Sequence, residues 1–305
     1  MTEQNKAYIF ASIAVLMWST VATAFKIALR FVDYSQLLLL ASLVSLIVLF
    51  FALLFQNKIK LLKSYSKKDY LQSMLLGFLN PFLYYLVLFK AYSILPAQEA
   101  QPLNYTWGIV VVLLSIPILK QKIKIRSIVA VILSFLGVLF ISTQGNIFGL
   151  KFSNPYGVLL AVGSSLIWGT FWIFNIKDKR DEIAKLFLNF AFGFIFILIY
   201  TFIFSRFSVP EPLGITSVAY VGLFEMGITF IFWLKALKLS KTTAQVSNLI
   251  YISPFLSLIF INFVLGEKIL LSSFIGLVFI ISGVVLQQFQ KNVKEHIIMD
   301  SESEF

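Results

Sequence analysis

The chain reads as an all-α integral membrane protein, with ten transmembrane helices arranged as two inverted five-helix repeats. Three observations predict this. Hydrophobic residues make up 59% of the 305 residues and charged residues only 13%, where soluble domains run nearer half apolar and a quarter charged. Apolar stretches of about 20 residues, the length that crosses a bilayer, recur along the whole chain. Lys and Arg gather between those stretches and alternate in density from one connection to the next, as membrane topology demands.

The predicted spans are 8–29, 35–55, 71–93, 97–118, 126–143, 156–176, 184–204, 215–236, 243–265 and 271–289. The first has no small-residue cleavage site before its polar exit, so a retained helix is expected rather than a signal peptide. Pro96 separates the third and fourth spans, and Gly266-Glu267-Lys268 separates the last two. With a cytoplasmic N-terminus, 19 of the 25 basic residues fall on the inner side and 6 on the outer, which places both termini inside. The connections leave no room for a globular extramembrane domain. The tail 291–305 is polar and is expected to be disordered and cytoplasmic.

Composition excludes several chemistries. There is no cysteine, and the single histidine, His296, lies in the tail. Thiolate nucleophiles, Cys-ligated metals and His-based acid–base pairs are therefore not expected, and neither a cofactor nor a metal is predicted. The net charge of +11 is distributed as loop charge and not as one basic face, which argues against a nucleic-acid partner.

Two halves echo one another. Leu16-Met17-Trp18-Ser19-Thr20 in the first span matches Leu166-Ile167-Trp168-Gly169-Thr170 in the sixth. Gly77-Phe78-Leu79-Asn80 matches Gly222-Leu223-Phe224-Glu225 at an offset of 145, and after a one-residue slip Tyr105 meets Tyr251 and Gly137 meets Gly283. The repeats are assigned to 1–145 and 146–290. Five spans per repeat invert the second half, an arrangement that in secondary transporters brings the site to the repeat interface near the midplane.

Ten spans as five plus five, Trp-Ser/Gly-Thr in the first span of each half, and Ser253-Pro254-Phe255 followed by Leu265-Gly266-Glu267-Lys268 resemble the EamA family of the drug/metabolite transporter superfamily. The resemblance covers about residues 8–289. Leu103-Asn104-Tyr105-Thr106-Trp107-Gly108 further resembles the Asn-Tyr-Leu-Trp-Pro stretch of the YddG-type aromatic amino acid exporters, with Thr106 for Leu and Gly108 for Pro. Lys120-Gln121-Lys122 stands where that family often carries Gly-Glu-Arg or Gly-Glu-Lys. The resemblance implies carriage of amino acids, other small metabolites or drugs.

Candidate site residues are those that are costly in a bilayer. Glu225 lies halfway along the eighth span, where a carboxylate costs about 3 kcal/mol on insertion scales; it is expected to grip a substrate ammonium or a proton, or else to make a purely structural interhelical bond. Asn80 is its repeat mate, beside Pro81, and Tyr84, one turn on, shares its face. Trp18 and Trp168 lie mid-span, away from the interfacial belt, and are expected to wall a pocket to which Thr20 and Thr170 add hydroxyls. Tyr105, Trp107, Asn104, Asn248 and Tyr251 extend it. Trp172 and Trp233, nearer helix ends, read as interfacial anchors. Glu99 is a candidate partner for Lys90 or Lys26. Small residues at Ser127, Ala130, Ser134 and Gly137, and at Ser273, Gly276 and Gly283, mark faces for close helix packing or for homodimerisation.

The predicted function is secondary transport of a small organic metabolite, first an amino acid or related compound, across the cytoplasmic membrane by alternating access, with a proton as candidate coupling ion. A drug or other metabolite exporter of the same fold stays open, as does a scaffold or channel. A lipid-modifying enzyme would need a nucleophile, base or metal cluster, and the sequence offers none.

Overall fold

The computed structural model describes residues 1–119, 125–149, 153–205, 207–240 and 248–302, with the stretch from 287 on described by backbone alone. Among these residues every regular element is helical. In chain order they are α1 (Glu3–Ala28), α2 (Tyr34–Phe55), α3 (Ile59–Ser64), α4 (Lys67–Gly77), α5 (Tyr84–Ile94), α6 (Ala97–Asn104), α7 (Trp107–Leu119), α8 (Ile125–Ser142), α9 (Pro155–Lys177), α10 (Glu182–Phe204), α11 (Pro212–Phe224), α12 (Ile228–Leu239), α13 (Ser253–Phe260) and α14 (Leu271–Glu302). A π-turn, Phe78–Leu83, joins α4 to α5, a 3-10 turn, Asn248–Ile252, leads into α13, and a second π-turn, Ile261–Leu265, follows it.

Six helical stretches are long and apolar enough to cross a membrane: Glu3–Ala28, Tyr34–Phe55, Lys67–Ile94, Pro155–Asn175, Glu182–Phe204 and Pro212–Leu239. Shorter apolar helices occupy Ile128–Ser142, Leu249–Leu265 and Leu271–Leu286. The chain is thus a multi-pass membrane protein. The predicted fourth span is split into α6 and α7. Residues 120–124, which hold Lys120-Gln121-Lys122, and the start of the predicted ninth span lie outside the described residues, as do the side chains of Ser127 and Asn248.

Local chemistry explains where helices begin. The Thr2 hydroxyl accepts from the Asn5 N–H ahead of α1, Asp33 from Ser35 and Gln36 ahead of α2, Asn154 from Gly157 ahead of α9, and Asp181 from Ile183 and Ala184 ahead of α10. Each supplies an acceptor to a first-turn N–H that has no helical partner. Ser66 and Asp69 form a reciprocal capping box at α4. At the far end, α14 runs on to Glu302, through the tail expected to be disordered. No Gly or Pro follows Gly283 to stop it, and Lys, Glu and Met favour its continuation.

Packing crosses between the sequence halves. Helix α1 lies against α11, α12 and α13, and α9 lies against α5, α6 and α7. Helix α2 packs along α10, and α8 along α14. The α8–α14 seam is close because its small residues let the backbones meet: a Cβ on Gly137 would lie 2.5 Å from the Gly276 carbonyl, and one on Gly276 would lie 2.7 Å from that of Gly137. The Ser134 hydroxyl donates across the seam to the Ile280 carbonyl at 3.3 Å. The small faces therefore serve packing within the chain. Leu43, Phe51, Phe202 and Phe263 instead point outward, exposed, as lipid-facing side chains do.

A candidate substrate site at the helix breaks

The site is built where helices stop being helical. Four long apolar segments are interrupted: 67–94 at Phe78–Leu83, 97–119 at Tyr105-Thr106, 212–239 at Glu225-Met226-Gly227, and 248–265 at its 3-10 start. Within the first break Asn80 is extended (φ −146°, ψ 119°) and the Asn80–Pro81 bond is cis; Pro81 has no N–H to give a ladder. Backbone freed in the bilayer must be paired by protein or lie in a cavity. At 225–227 the pairing comes from neighbouring helices. The Trp18 indole N–H donates to the Glu225 carbonyl at 3.3 Å and the Ser45 hydroxyl to the Met226 carbonyl at 2.8 Å, while within the segment itself the Thr229 hydroxyl donates to the Phe224 carbonyl.

With its backbone so held from α1 and α2, Glu225 turns its carboxyl toward α5. The Tyr85 hydroxyl donates to Glu225 Oε1 at 3.1 Å. Tyr85 is fully buried and Glu225 only 9% exposed. Among the described residues, no Lys, Arg or His lies within ion-pair distance of this carboxylate; the ion pairs found are Lys6–Glu3, Lys58–Asp181, Arg180–Asp178 and Lys185–Glu182.

Aromatic rings continue from this point across the protein. Tyr85 meets Tyr84 edge-on at 4.6 Å between centroids, and Tyr84 lies over Trp168 at 4.7 Å. Phe230 then bridges Trp168 (6.1 Å) and Trp18 (5.9 Å), and Trp18 packs edge-on against Trp233 at 5.4 Å. Below the rings runs a polar chain in which Tyr84 donates to Asn104 Oδ1 at 3.2 Å and Asn104 Nδ2 donates to Ser164 Oγ at 2.9 Å. Thr106 donates to Ser165 at 2.9 Å beside it.

Several of the predicted residues thus come together: Glu225, Trp18, Trp168, Tyr84 and Asn104. Tyr105 and Tyr251 are buried nearby in the helix breaks, and Trp107, at the start of α7, is half-buried. Thr20 is bonded to the Tyr220 hydroxyl at 2.6 Å, away from the carboxylate. The Thr170 hydroxyl returns to its own helix, donating to the Leu166 carbonyl at 2.7 Å. Asn80 is fully buried with neither amide atom hydrogen-bonded, and no hydrogen bond joins it to Glu225 or Tyr84. Asn80 itself is not helical (φ −146°, ψ 119°), so its spacing to Tyr84 is not that of a continuous helix.

Two further expectations, those for Trp233 and Glu99, are corrected. Trp233 is no interfacial anchor: it is 6% exposed, packed against Trp18 inside the protein. Trp172 is half-buried, 6.3 Å from Phe171 with rings nearly parallel. Glu99 pairs with neither Lys90 nor Lys26; it accepts from Gln144 Nε2 at 3.0 Å and Ser153 Oγ at 2.6 Å. Lys26 instead donates to the Tyr92 and Leu95 carbonyls at the end of α5, where the helix dipole favours a cation. Lys90 sits 4.7 Å over the Tyr34 ring.

Sequence reasoning missed Tyr85, Phe230, Ser164 and Asn189. Tyr85 gave no signal because the break turns it, and not Tyr84, toward Glu225. Asn189, on α10, is fully buried and its amide atoms have no hydrogen-bond partner; an Asn amid Phe and Leu was a legible signal by the same cost argument that singled out Asn80.

Comparison with known proteins agrees with this architecture. The chain is 28% identical over 293 residues to an uncharacterized transporter of Clostridium kluyveri, covering 92% of this chain and 93% of the relative. An uncharacterized transporter of Archaeoglobus fulgidus is 24% identical over 287 residues, with 92% and 97% covered. A solved crystal structure superposes with a TM-score of 0.66 over 95% of this chain and 99% of the other, a likeness of fold at 19% identity. The EamA-like transporter family matches residues 5–143 and again 155–287. The chain belongs to the EamA-like transporter family.

Proposed function

We propose that the protein is a secondary transporter that moves a small organic metabolite, first an amino acid or related compound, through a central site at Glu225. The observation that carries this reading is the buried carboxylate. It stands at a helix break, meets one tyrosine hydroxyl and no cation among the described residues, and is ringed by aromatics from both halves of the sequence. Burying an ionisable group is costly unless it is paired, so a structural role alone leaves the choice of Glu unexplained. A substrate ammonium or a proton supplies the missing counter-charge. The aromatic faces suit a cation or a ring, in keeping with the resemblance to aromatic amino acid exporters. Asn80 and Asn189 offer unpaired amide groups for a polar part of the solute.

Ten spans in two inverted repeats, 1–145 and 146–290, form the framework of this reading. Its support is the double family match, 5–143 and 155–287, and the reciprocal packing of α1 and α9. The close crossing of Gly222 against Ala41 repeats that of Gly77 against Asn189. The basic-residue asymmetry supports both termini inside, and the family resemblance supports a cytoplasmic membrane.

Alternating access then takes a particular form. Because α1 packs on α11, α12 and α13 while α9 packs on α5, α6 and α7, the moving bodies are not the two sequence halves. They are α4–α7 with α9, and α11–α13 with α1, and the Glu225–Tyr85 bond spans the gap between them. The α2–α10 and α8–α14 pairs flank them as hinges.

Counterflow into liposomes loaded with pools of amino acids and other metabolites tests this. Labelled uptake that is saturable, stimulated by internal substrate and abolished in Glu225→Gln is the expected result. Full activity in both Glu225→Gln and Asn80→Ala would overturn the site.

A further inference from the structure

The body formed by α4–α7 with α9 and the body formed by α11–α13 with α1 also meet at their ends opposite the N-terminus, where charges sit on helix ends. Helix α5 stops at Ile94, Leu95 and Pro96 turn the corner, and α6 begins at Ala97. The last carbonyls of one helix and the first N–H groups of the next have no helical partner. Lys26 Nζ, from α1, donates to the Tyr92 and Leu95 carbonyls, both at 3.0 Å. The Glu267 carboxylate, from the loop after α13, accepts from the Ala97 and Gln98 N–H groups at 3.1 and 3.3 Å. A cation thus stands at the negative end of one helix dipole and an anion at the positive end of the next.

Both charges come from the opposite body, and both are held in place. Gly266 is left-handed (φ 71°) and reverses the chain, its N–H bonded to the Asn262 carbonyl, while Asn262 Nδ2 donates to the Glu267 carbonyl at 3.0 Å. Gln98 ties the same loop, its Nε2 donating to the Lys268 carbonyl and its Oε1 accepting from the Leu270 N–H, each at 2.8 Å. Beside Lys26, Phe25 packs edge-on against Phe89 and Tyr92 of α5 at 4.8 and 5.1 Å, all three rings buried. The two charges are not repeated in the other half. In the aligned sequences Gln121 stands where Glu267 does, and in the Trp18–Trp168 register Ile176 stands where Lys26 does.

We propose, on the reading that these two bodies move, that Lys26 and Glu267 close a charged latch on the α5–α6 corner. The latch holds the bodies together at the end that is outer when both termini are inside, and its release is the step that opens the Glu225 site to that side. Lys26 and Glu267 are each only half-buried. Water can therefore take over both charges when the bodies part, which keeps the latch reversible where a fully buried pair would be costly to break.

The test is spin-label distance measurement on the full chain in nanodiscs, with no solute present. The chain has no cysteine, so introduced pairs are labelled alone. Ser93→Cys with Thr216→Cys spans the latched ends of the two bodies, and Lys177→Cys with Lys238→Cys spans the opposite ends; all four positions are exposed. In Lys26→Gln and in Glu267→Gln the ratio of long to short distances at the latched end should rise about tenfold, the equivalent of one charge-assisted hydrogen bond. The opposite-end distance should shorten in the same fraction of molecules, and Lys26→Arg should keep the parent distribution. The two Gln variants alter separate elements, so either reads the latch if the other fails to fold. Unchanged distances at the latched end overturn the proposal. So does lengthening there with no change at the opposite end, which marks a local staple and not a latch on a rocking body. Distances that switch while counterflow stays silent keep the latch and refute only the Glu225 substrate site; Glu225-dependent counterflow with unmoved distances does the reverse.

Discussion

The hydrogen bond from Tyr85 to Glu225 can be removed without disturbing its surroundings. Tyr85→Phe deletes one oxygen and keeps the ring against Tyr84 and Phe89, 4.6 Å and 5.4 Å away. The donor residue is fully buried, the acceptor residue is 9% exposed, and the contact is 3.1 Å. Water therefore competes weakly for either partner. A hydrogen bond to a charged group is worth about 1.5–3 kcal/mol, whereas bonds between neutral partners inside membranes average about 0.6 kcal/mol. If Glu225 is held as a carboxylate ready for a cation, a double-mutant cycle of Tyr85→Phe and Glu225→Gln should return a coupling of at least about 1.5 kcal/mol. The cycle is read from reversible denaturation in mixed micelles, followed by tryptophan fluorescence, with Trp18 as the nearest reporter through its bond to the Glu225 carbonyl. Coupling below about 0.5 kcal/mol refutes the reasoning, because the additivity error of such cycles is of that size. Glu225→Gln keeps the volume and one acceptor, so the coupling reads charge and not a cavity.

Other parts of the molecule respond in defined ways. Gly276→Leu at the α8–α14 seam should cost at least about 1–3 kcal/mol by overpacking, since even a Cβ would lie 2.4 Å from Ile141 Cγ1; an unchanged midpoint of thermal unfolding would contradict the seam. Glu267 accepts the N–H groups of Ala97 and Gln98 at 3.1 and 3.3 Å and so caps α6 from a distant loop. Glu267→Ala should cost about 1 kcal/mol and speed hydrogen exchange across 97–104 more than across α8. At the loop between α9 and α10, burial works against the Asp178 charge, yet the Arg180 side chain and N–H hold its carboxyl below the usual range. Burial likewise opposes Asp181, while Lys58 and the Ala184 N–H keep it low. A depressed carboxylate contributes stability above its unfolded pKa of about 4 and loses it as pH falls through the folded value. The contribution of these two carboxylates should therefore be flat near neutrality and be lost below about pH 4, and Asp178→Asn should shrink that acid loss in a pH series of thermal melts.

Legibility from sequence followed the cost of transfer into lipid. An apolar stretch of sufficient length has one stable fate, so α1, α2, α9 and α10 were readable as spans from composition alone. So was Glu225, because a carboxylate amid Gly222, Phe224 and Ile228 is expensive wherever the helix points. The mid-span tryptophans Trp18 and Trp168 were legible for a similar reason, their distance from the interface. The partners of these residues were not. Which tyrosine meets Glu225 depends on how the break at Phe78–Leu83 turns α5, and a one-residue change of phase rotates a helix by about 100°, enough to exchange Tyr84 for Tyr85. Trp233 was misread because position along a helix does not say which neighbour covers it. Glu99 was assigned to Lys90 or Lys26 because all three fall toward the outer ends of their spans, while folding carried Gln144 and Ser153 to it from the loop after α8.

By itself, then, the sequence determined that this chain lies in a membrane, that it is helical, and where the costly polar groups sit along it, because those properties follow from each segment's own exchange of water for lipid. Only the tertiary structure decided that α1 and α9 change places between the halves, that Tyr85 holds the carboxylate, and that α8 and α14 meet backbone to backbone. Those outcomes rest on contacts between segments far apart in the chain, set by helix phase and the fit of small residues, and no single segment carries that information.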